Sequence, residues 1–291
     1  MAAQRYYKYS MQGLNLLYVI TKLELGGAQK QLLSLVTHLD KERYNLSLIT
    51  ARNGLLVNNA LSIKQLRLVR SSFLERSINP IKDLLALFQI YNFIKKNKID
   101  IVHTHSSKAG ILGRWAARLA KVKIVIHTVH GWSFNEYQNR LLRKIIIWLE
   151  RLTALITDKL VVVSYHDRQK GLDNHIGDTN KYKLIRYGID YEEFSKKNKA
   201  LREELGIGTG DLVIGMISCF KPQKSPQDFV RLAFLLNESL PQASSPEQNP
   251  YHGRDFPLKI KFILIGDGVL RKEIERLIFK FNLGKQVILT G

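Results

Sequence analysis

Four histidines close two neighbouring apolar runs of this chain. Residues 101–110 read Ile-Val-His-Thr-His-Ser-Ser-Lys-Ala-Gly, and residues 124–134 read Ile-Val-Ile-His-Thr-Val-His-Gly-Trp-Ser-Phe. Imidazole exchanges protons near neutral pH and offers a hydrogen-bond donor and an acceptor on one ring. In an open parallel sheet, ligands bind beyond the carboxyl ends of the strands. A single histidine there marks no more than the place where polar residues begin. His103, His105, His127 and His130 together, at two adjacent strand ends, point to a site, with Ser106 and Lys108 on the same turn.

Two glycine turns and one lysine loop carry further chemistry. Gly26 and Gly27 lie between an apolar run and a helical pattern, where glycine lets backbone approach a ligand and helix-start amides meet an anion. Gly266-Asp267-Gly268 repeats that layout later in the chain, and Asp267 is placed to cap the helix that follows. A tight turn would explain either glycine pair equally well. Lys221 and Lys224 flank Pro222-Gln223 just after an apolar strand, where an ammonium can meet a phosphate as a point charge.

Other chemistries find no footing. There is no nucleophile elbow, P-loop or His-Glu-x-x-His zinc motif, and no carboxylate pair suggests a double-displacement glycosidase. Cys219 is the single cysteine, which excludes an intramolecular disulfide framework and a cysteine-rich zinc site. The His-x-His at 103 and 105 is too little for a metal, so neither metal nor cofactor is expected.

These residues need elements to hold them. Apolar runs at 15–21, 44–50, 65–69, 101–104, 124–129 and 160–163 predict strands, and they are continuous rather than alternating, as when both faces of a sheet are covered. Helical patterns fall between them at 29–39, 80–96, 108–120, 140–157 and 165–172. Asn79-Pro80 starts one helix as cap and first-turn proline, and Ser164 caps another. Strand and helix alternation predicts an α/β fold with a doubly wound parallel sheet over residues 1–185. A linker follows at 186–204, then a partial second unit of the same kind at 205–291. In that unit Ser225-Pro226 opens a helix in the same manner, and 239–257 reads as a long mobile surface insertion.

At 291 residues the chain is 45% hydrophobic and 24% charged, which is globular. Lysine plus arginine outnumber acidic residues 45 to 25, a net charge of +20 that favours phosphorylated substrates or anionic lipid. Nucleic acid is not expected, since no zinc-finger spacing, RNA-binding signature or basic tail accompanies the charge. No secretory signal or transmembrane run is present. A cytoplasmic protein follows, peripheral at the inner membrane face if the basic, Trp148-bearing helix at 140–157 lies on lipid. Core packing of that helix is the favoured alternative.

In this order the segments resemble the retaining glycosyltransferases of family 4, the group 1 enzymes of GT-B fold. The matching pieces are Val19-Ile-Thr-Lys-Leu-Glu-Leu-Gly-Gly-Ala-Gln29, Val102-His-Thr-His-Ser-Ser-Lys-Ala-Gly110 and His127-Thr-Val-His-Gly-Trp132. Leu160-Val-Val-Val-Ser164, Tyr187-Gly-Ile-Asp190 with Phe194, the Lys224 loop and Ile263-Leu-Ile-Gly-Asp-Gly268 complete them. The resemblance implies two Rossmann-like domains facing a cleft, with a nucleotide-sugar donor mainly on the second and a glycan or lipid-linked acceptor on the first. It implies that Gly26 and Gly27 approach the donor phosphates, that His130 sits near the reacting centre, and that Lys224 meets the donor diphosphate. The implied reaction transfers a sugar with retention of configuration, without a metal, in cell-surface polysaccharide or glycolipid assembly. Gly27, His105, His130 and Lys224 are then expected to line one groove, with His103, His105, Ser106 and Lys108 on the acceptor side.

Two departures qualify the match. Where the family often has an arginine, five residues before the lysine, this chain has Cys219; Lys221 would substitute if the segment is extended and the two share a face. The family's later pair of glutamates would fall beyond Gly291, so the chain reads as truncated within the donor-binding domain, with little activity expected alone. A non-catalytic or split binding subunit is the alternative, and a nucleotide-sugar epimerase of the same fold a more distant one.

Overall fold

In a computed structural model, residues 13–195, 200–239 and 260–291 are described. The insertion expected at 239–257 lies, from residue 240 onward, outside them. The described residues form two compact units, one ending at Ile189 and the other beginning at Asp190.

The first unit is built on seven strands: β1 (Leu14–Val19), β2 (Tyr44–Ala51), β3 (Leu66–Ser71), β4 (Ile101–His105), β5 (Ile124–Val129), β6 (Lys159–Val162) and β7 (Tyr182–Leu184). They pair in the order β3-β2-β1-β4-β5-β6-β7, all in parallel. The order reverses between β1 and β4, so a crevice for ligand is expected at the carboxyl ends of those two strands. The helices are α1 (Gly27–His38), α2 (Val57–Leu61), α3 (Pro80–Lys96), α4 (Ser107–Leu119), α5 (Arg140–Leu155) and α6 (Tyr165–Asp173).

Continuous apolar strands let β1 serve two cores. Leu17 and Val19 face Ala86, Ile90 and Ile94 of α3 and Ala109, Ala116 and Ala117 of α4. Leu16 and Tyr18 face Leu32, Leu33 and Val36 of α1 and Val57 and Ala60 of α2. The local start signals operate as expected. Asn79 accepts from the Lys82 amide at 3.1 Å with Pro80 in the first turn, and Ser164 accepts from the Asp167 amide at 3.0 Å.

Helix α5 packs on the core by one face and leaves an apolar face outside. Only Glu150, Thr153 and Ala154 of this helix are buried. Leu141, Leu142, Ile145 and Trp148 stand exposed, Ile146 and Ile147 pack partly buried against the core around Val129, Phe134 and Leu160, and the fully buried positions lie in the carboxyl-terminal turns. There the Glu150 carboxylate receives Arg114 from α4 at 2.8 Å, with both side chains almost wholly out of solvent. Arg114 is held further by the Gly110 carbonyl at 2.8 Å and the Thr157 hydroxyl at 3.4 Å.

The second unit contains α7 (Tyr191–Ser195), α8 (Ala200–Glu204), β8 (Leu212–Ile217), α9 (Pro226–Ser239), β9 (Ile260–Ile265), α10 (Arg271–Lys280) and β10 (Val287–Leu289). Its strands pair in parallel in the order β10-β9-β8. Phe220, Val230, Phe262, Leu264, Ile274 and Ile278 form its core. The parallel α/β class expected from the alternation is the one observed.

Candidate functional site

Strand alternation sorts the four histidines onto two faces. Thr104 of β4 pairs in register with His127 of β5, and His105 with Thr128. Because successive side chains point to opposite faces, His103, His105 and Thr128 share one side, while Thr104 and His127 share the other. His127 Nδ1 meets the Thr104 hydroxyl at 2.9 Å. Helix α4 packs closely over it: a Cβ on Gly110 would stand 2.6 Å from His127 Cε1. Glycine at 110 is therefore a packing requirement.

On the opposite side the rings form a continuous stack. Tyr18 of β1 lies 5.3 Å from His103 and 5.8 Å from His105, and the two histidine rings are 4.4 Å apart. His103 Nε2 meets the Thr128 hydroxyl at 2.7 Å. His105 Nδ1 meets His130 Nε2 at 2.8 Å, and His130 Nδ1 meets the Tyr187 hydroxyl. His127 and His130 both border a small cavity at the strand ends with Ser106, Trp132, Ser133 and Glu150.

Burial keeps all four imidazoles neutral. It pushes His103 down to about 3 and His130 to about 4, and holds His105 and His127 well below the ordinary histidine value. Burial also pushes the Tyr187 phenol up to about 12, so it keeps its proton. At neutral pH these groups exchange hydrogen bonds and carry no charge.

Ser106 and Lys108 brace the site. Ser106 sits at φ 60° and ψ 156°, a region nearly reserved for glycine. Its hydroxyl accepts from the Thr21 amide at 3.1 Å and lies 2.8 Å from the Thr21 hydroxyl. Thr21 in turn accepts from the Ala109 amide at 3.2 Å, so the end of β1 supplies a cap to α4. Lys108 reaches Asp83 at 2.5 Å and the Ser77 carbonyl, fastening α4 to the start of α3. Gly26 is extended, and a Cβ on Gly27 would meet nothing within 4 Å, so the amino end of α1 is open to an approaching group.

In the second unit the glycines serve the chain itself. Gly266 (φ 134°) and Gly268 (φ 156°) let the loop after β9 pass the loop after β8. A Cβ would lie 2.0 Å from the Ser218 carbonyl oxygen in the first case and 2.6 Å from that of Phe220 in the second. Asp267 does not cap α10: its carboxylate accepts from the Gly268 amide at 2.7 Å, and α10 begins three residues later without a side-chain cap. The Phe220 amide donates to the Asp267 carbonyl at 2.9 Å, which ties the two loops. The segment holding Cys219 and Lys221 is not extended, because the Lys221 amide donates back to the Cys219 carbonyl at 2.8 Å. Ser225 is left-handed, and its hydroxyl donates to the Pro222 carbonyl at 3.3 Å. Lys224 lies in the exposed single turn Pro222–Lys224, its ammonium without a partner among the described residues.

Of the four histidines expected to share a site, His103, His105 and His130 come together while His127 turns to the other face, and three further contributors were not among the expected residues. Tyr187 entered as a motif residue only. Thr128 and Thr21 carry hydroxyls that their places at the ends of β5 and β1 could have revealed. Among the described residues, no three His, Cys, Asp or Glu side chains converge as a metal cage.

Comparison with known proteins supplies the family. The chain is 33% identical over 276 residues to the UDP-Gal:alpha-D-GlcNAc-diphosphoundecaprenol alpha-1,3-galactosyltransferase of Escherichia coli, covering 92% of this chain and 66% of that protein. It is 31% identical over 160 residues to the O-antigen biosynthesis glycosyltransferase WbnH of Escherichia coli, covering 55% of this chain and 44% of WbnH. Its fold is similar to that of Anabaena HepE, solved in complex with UDP-glucose: the TM-score is 0.72 at 16% identity, over 96% of this chain and 69% of HepE. The chain thus spans about two thirds of the galactosyltransferase's length and under half of WbnH's. The model of Glycosyltransferase Family 4 matches residues 25–193, and with a parallel α/β fold shared with GT-B glycosyltransferases, the chain belongs to that family.

Proposed function

We propose that this chain transfers a sugar from a nucleotide-sugar donor to a glycan or lipid-linked acceptor, with retention of configuration and without a metal, in cell-surface polysaccharide assembly. One observation carries the reading: a Family 4 chain gathers neutral, hydrogen-bonding side chains at the carboxyl ends of β4 and β5, beside the point where strand order reverses. The E. coli relative's name, with UDP-galactose as donor and a diphosphoundecaprenol-linked acceptor, supports the substrate classes.

Catalysis of such a transfer rests on stabilising charge that develops on the leaving diphosphate. Lys224 is the exposed ammonium assigned to that anion, with Lys221 beside it and the loop around Gly266, Asp267 and Gly268 holding the turn in place. Amides at Gly26 and Gly27, at the open end of α1, face the same kind of group. His103, His105, Ser106 and Lys108 shape the acceptor side. His130 belongs near the reacting sugar, although both of its ring nitrogens are engaged by His105 and Tyr187.

A lipid-linked acceptor places the protein at a membrane. No helix among the described residues is long and apolar enough to cross one. Helix α5 instead presents Leu141, Leu142, Ile145 and Trp148 to solvent beside exposed Arg140 and Lys144. An apolar face rimmed by cations suits anionic lipid. Trp148 fluorescence should shift to the blue with phosphatidylglycerol vesicles and stay unchanged with phosphatidylcholine alone.

The test of the reaction is transfer from UDP-galactose to GlcNAc-diphosphoundecaprenol in the presence of EDTA, with the product anomer read by NMR. In a chain extended to the galactosyltransferase's full length, transfer with a retained α-linkage is expected, and Lys224→Ala should lower it by about 10²–10³-fold. An inverted product removes the retaining assignment. Binding of UDP-galactose without turnover would make the chain a binding subunit instead.

A further inference from the structure

His105 holds an unsatisfied atom at the centre of the polar cluster. Its side chain is buried, and Nε2 has no hydrogen-bond partner. Its other nitrogen begins a chain that runs from His105 Nδ1 to His130 Nε2 over 2.8 Å, then from His130 Nδ1 to the Tyr187 hydroxyl. A neutral imidazole carries one N–H and one bare nitrogen. That rule allows the chain only two directions.

In the first direction His105 carries its proton on Nε2. Its Nδ1 then accepts from His130, and His130 Nδ1 accepts from Tyr187, so the phenol proton is used inside the protein. In the second direction His105 Nδ1–H donates to His130, and His130 Nδ1–H donates to the Tyr187 oxygen. The Tyr187 proton is then free to reach another acceptor. The first direction strands an N–H in the interior, and the second strands only a lone pair. Orphaned buried N–H groups are rarer in folded proteins than under-satisfied acceptors. The second direction is therefore favoured, and it leaves a hydroxyl donor on a ring that is 39% exposed.

We propose that Tyr187 is a substrate-contacting donor, its hydroxyl directed by His105 and His130 toward an oxygen of the bound sugar. This rests on the glycosyl-transfer reading above. All three groups are uncharged, which suits a sugar hydroxyl or ring oxygen better than a diphosphate. His105 and His130 act as positioning residues: they fix which way the Tyr187 proton points. The ring stack of Tyr18, His103 and His105 holds the first member of the chain in place.

The direction of the chain is open to measurement without any substrate. In ¹⁵N-histidine-labelled protein, both His105 and His130 should be Nδ1–H tautomers, assigned with His105→Asn and His130→Asn. Nε2–H tautomers at both would overturn the proposal. In the UDP-galactose transfer assay, Tyr187→Phe should lower kcat/KM about tenfold, the worth of one neutral hydrogen bond. His105→Leu should do the same. His105→Asn, whose amide N–H stands near the lost Nδ1–H, should recover most of the rate. Undiminished transfer by Tyr187→Phe would sink the substrate contact. No transfer by a wild-type chain extended to the galactosyltransferase's full length would overturn the functional reading, and the sugar contact with it, while the tautomers still decide the chain's direction.

Discussion

At the carboxyl ends of β4 and β5, the side chains that could do chemistry are bonded to one another around the buried His105, with His103 and His130 half-buried. His103 holds Thr128, His105 holds His130, and His130 holds Tyr187. In the loop after β8 the arrangement is reversed. There the backbone is pinned, by Phe220 in the core and by Gly266 and Gly268 passing against its carbonyls, while the Lys224 side chain stands in solvent. The contrast separates two ways of preparing a site. Neutral donors must be aimed in advance, because a hydrogen bond depends on angle. An ammonium acts as a point charge and can follow an anion, so only its root needs fixing.

The largest effect expected from breaking this contrast lies beneath the first region. Glu150→Ala leaves the Arg114 guanidinium buried without its carboxylate, a loss of about 3–5 kcal/mol. Hydrogen exchange should report the loss in α4 and α5 and leave β8 to β10 protected. Equal loss in both units would show that they unfold as one.

The matching strike at the second region is Gly266→Ala. A Cβ there meets the Ser218 carbonyl at 2.0 Å on a left-handed backbone, so about 1–3 kcal/mol of strain is expected before any overlap is counted. Denaturation of this variant should show early loss of the second unit's structure, and a wild-type midpoint would mean that the loops pass with room to spare.

Acid should weaken the first region. The folded values of His103 and His105 are lowered below the unfolded value of about 6.5. Their contribution is therefore complete above about pH 6.5 and falls as the pH drops below it, because the unfolded chain then binds more protons. Each histidine should remove about 1.4 kcal/mol per pH unit in that window. Urea titrations at pH 7 and pH 5.5 test this, and a flat profile would place these rings in contact with water.

The smallest effect sharpens the role of the end of β1. Thr21→Val removes the hydroxyl that caps α4 and meets Ser106, and should cost about 1 kcal/mol. Fraying of the first turn of α4, read by hydrogen exchange at Ala109, is the expected signature.

What the sequence disclosed followed from how local each signal is. The caps at Asn79 and Ser164 act within three residues and were readable directly. Apolar continuity announced a parallel sheet because both faces of each strand must be covered. The separation of His127 from His103 and His105 was implicit in the two-residue period, but it emerges only once Thr104 is set beside His127. Tyr187 was hidden for a different reason: it comes to His130 across 57 residues, through the pairing of β7 at the sheet edge. Lys108 shows the converse, since a lysine at a strand end turned out to fasten two helices. Asp267 had the right residue type and turn for a cap, but its carboxylate closes on the next amide and α10 starts too late to receive it.

The reversal of strand order at β1 also sets a clock. β1 pairs with β2 about 30 residues further on, but its other edge waits for β4, as Leu16 meets Leu46 on one side and Ile101 on the other. The Thr21 to Ser106 bond spans 85 residues of chain. At ribosomal rates of about 5–20 residues per second, that separation amounts to roughly 4–17 seconds of synthesis. Throughout that interval the nascent protein carries an apolar strand with one open edge, a template for joining the wrong chain. Translation speed between β1 and β4 is thus expected to govern how much of this protein is recovered folded.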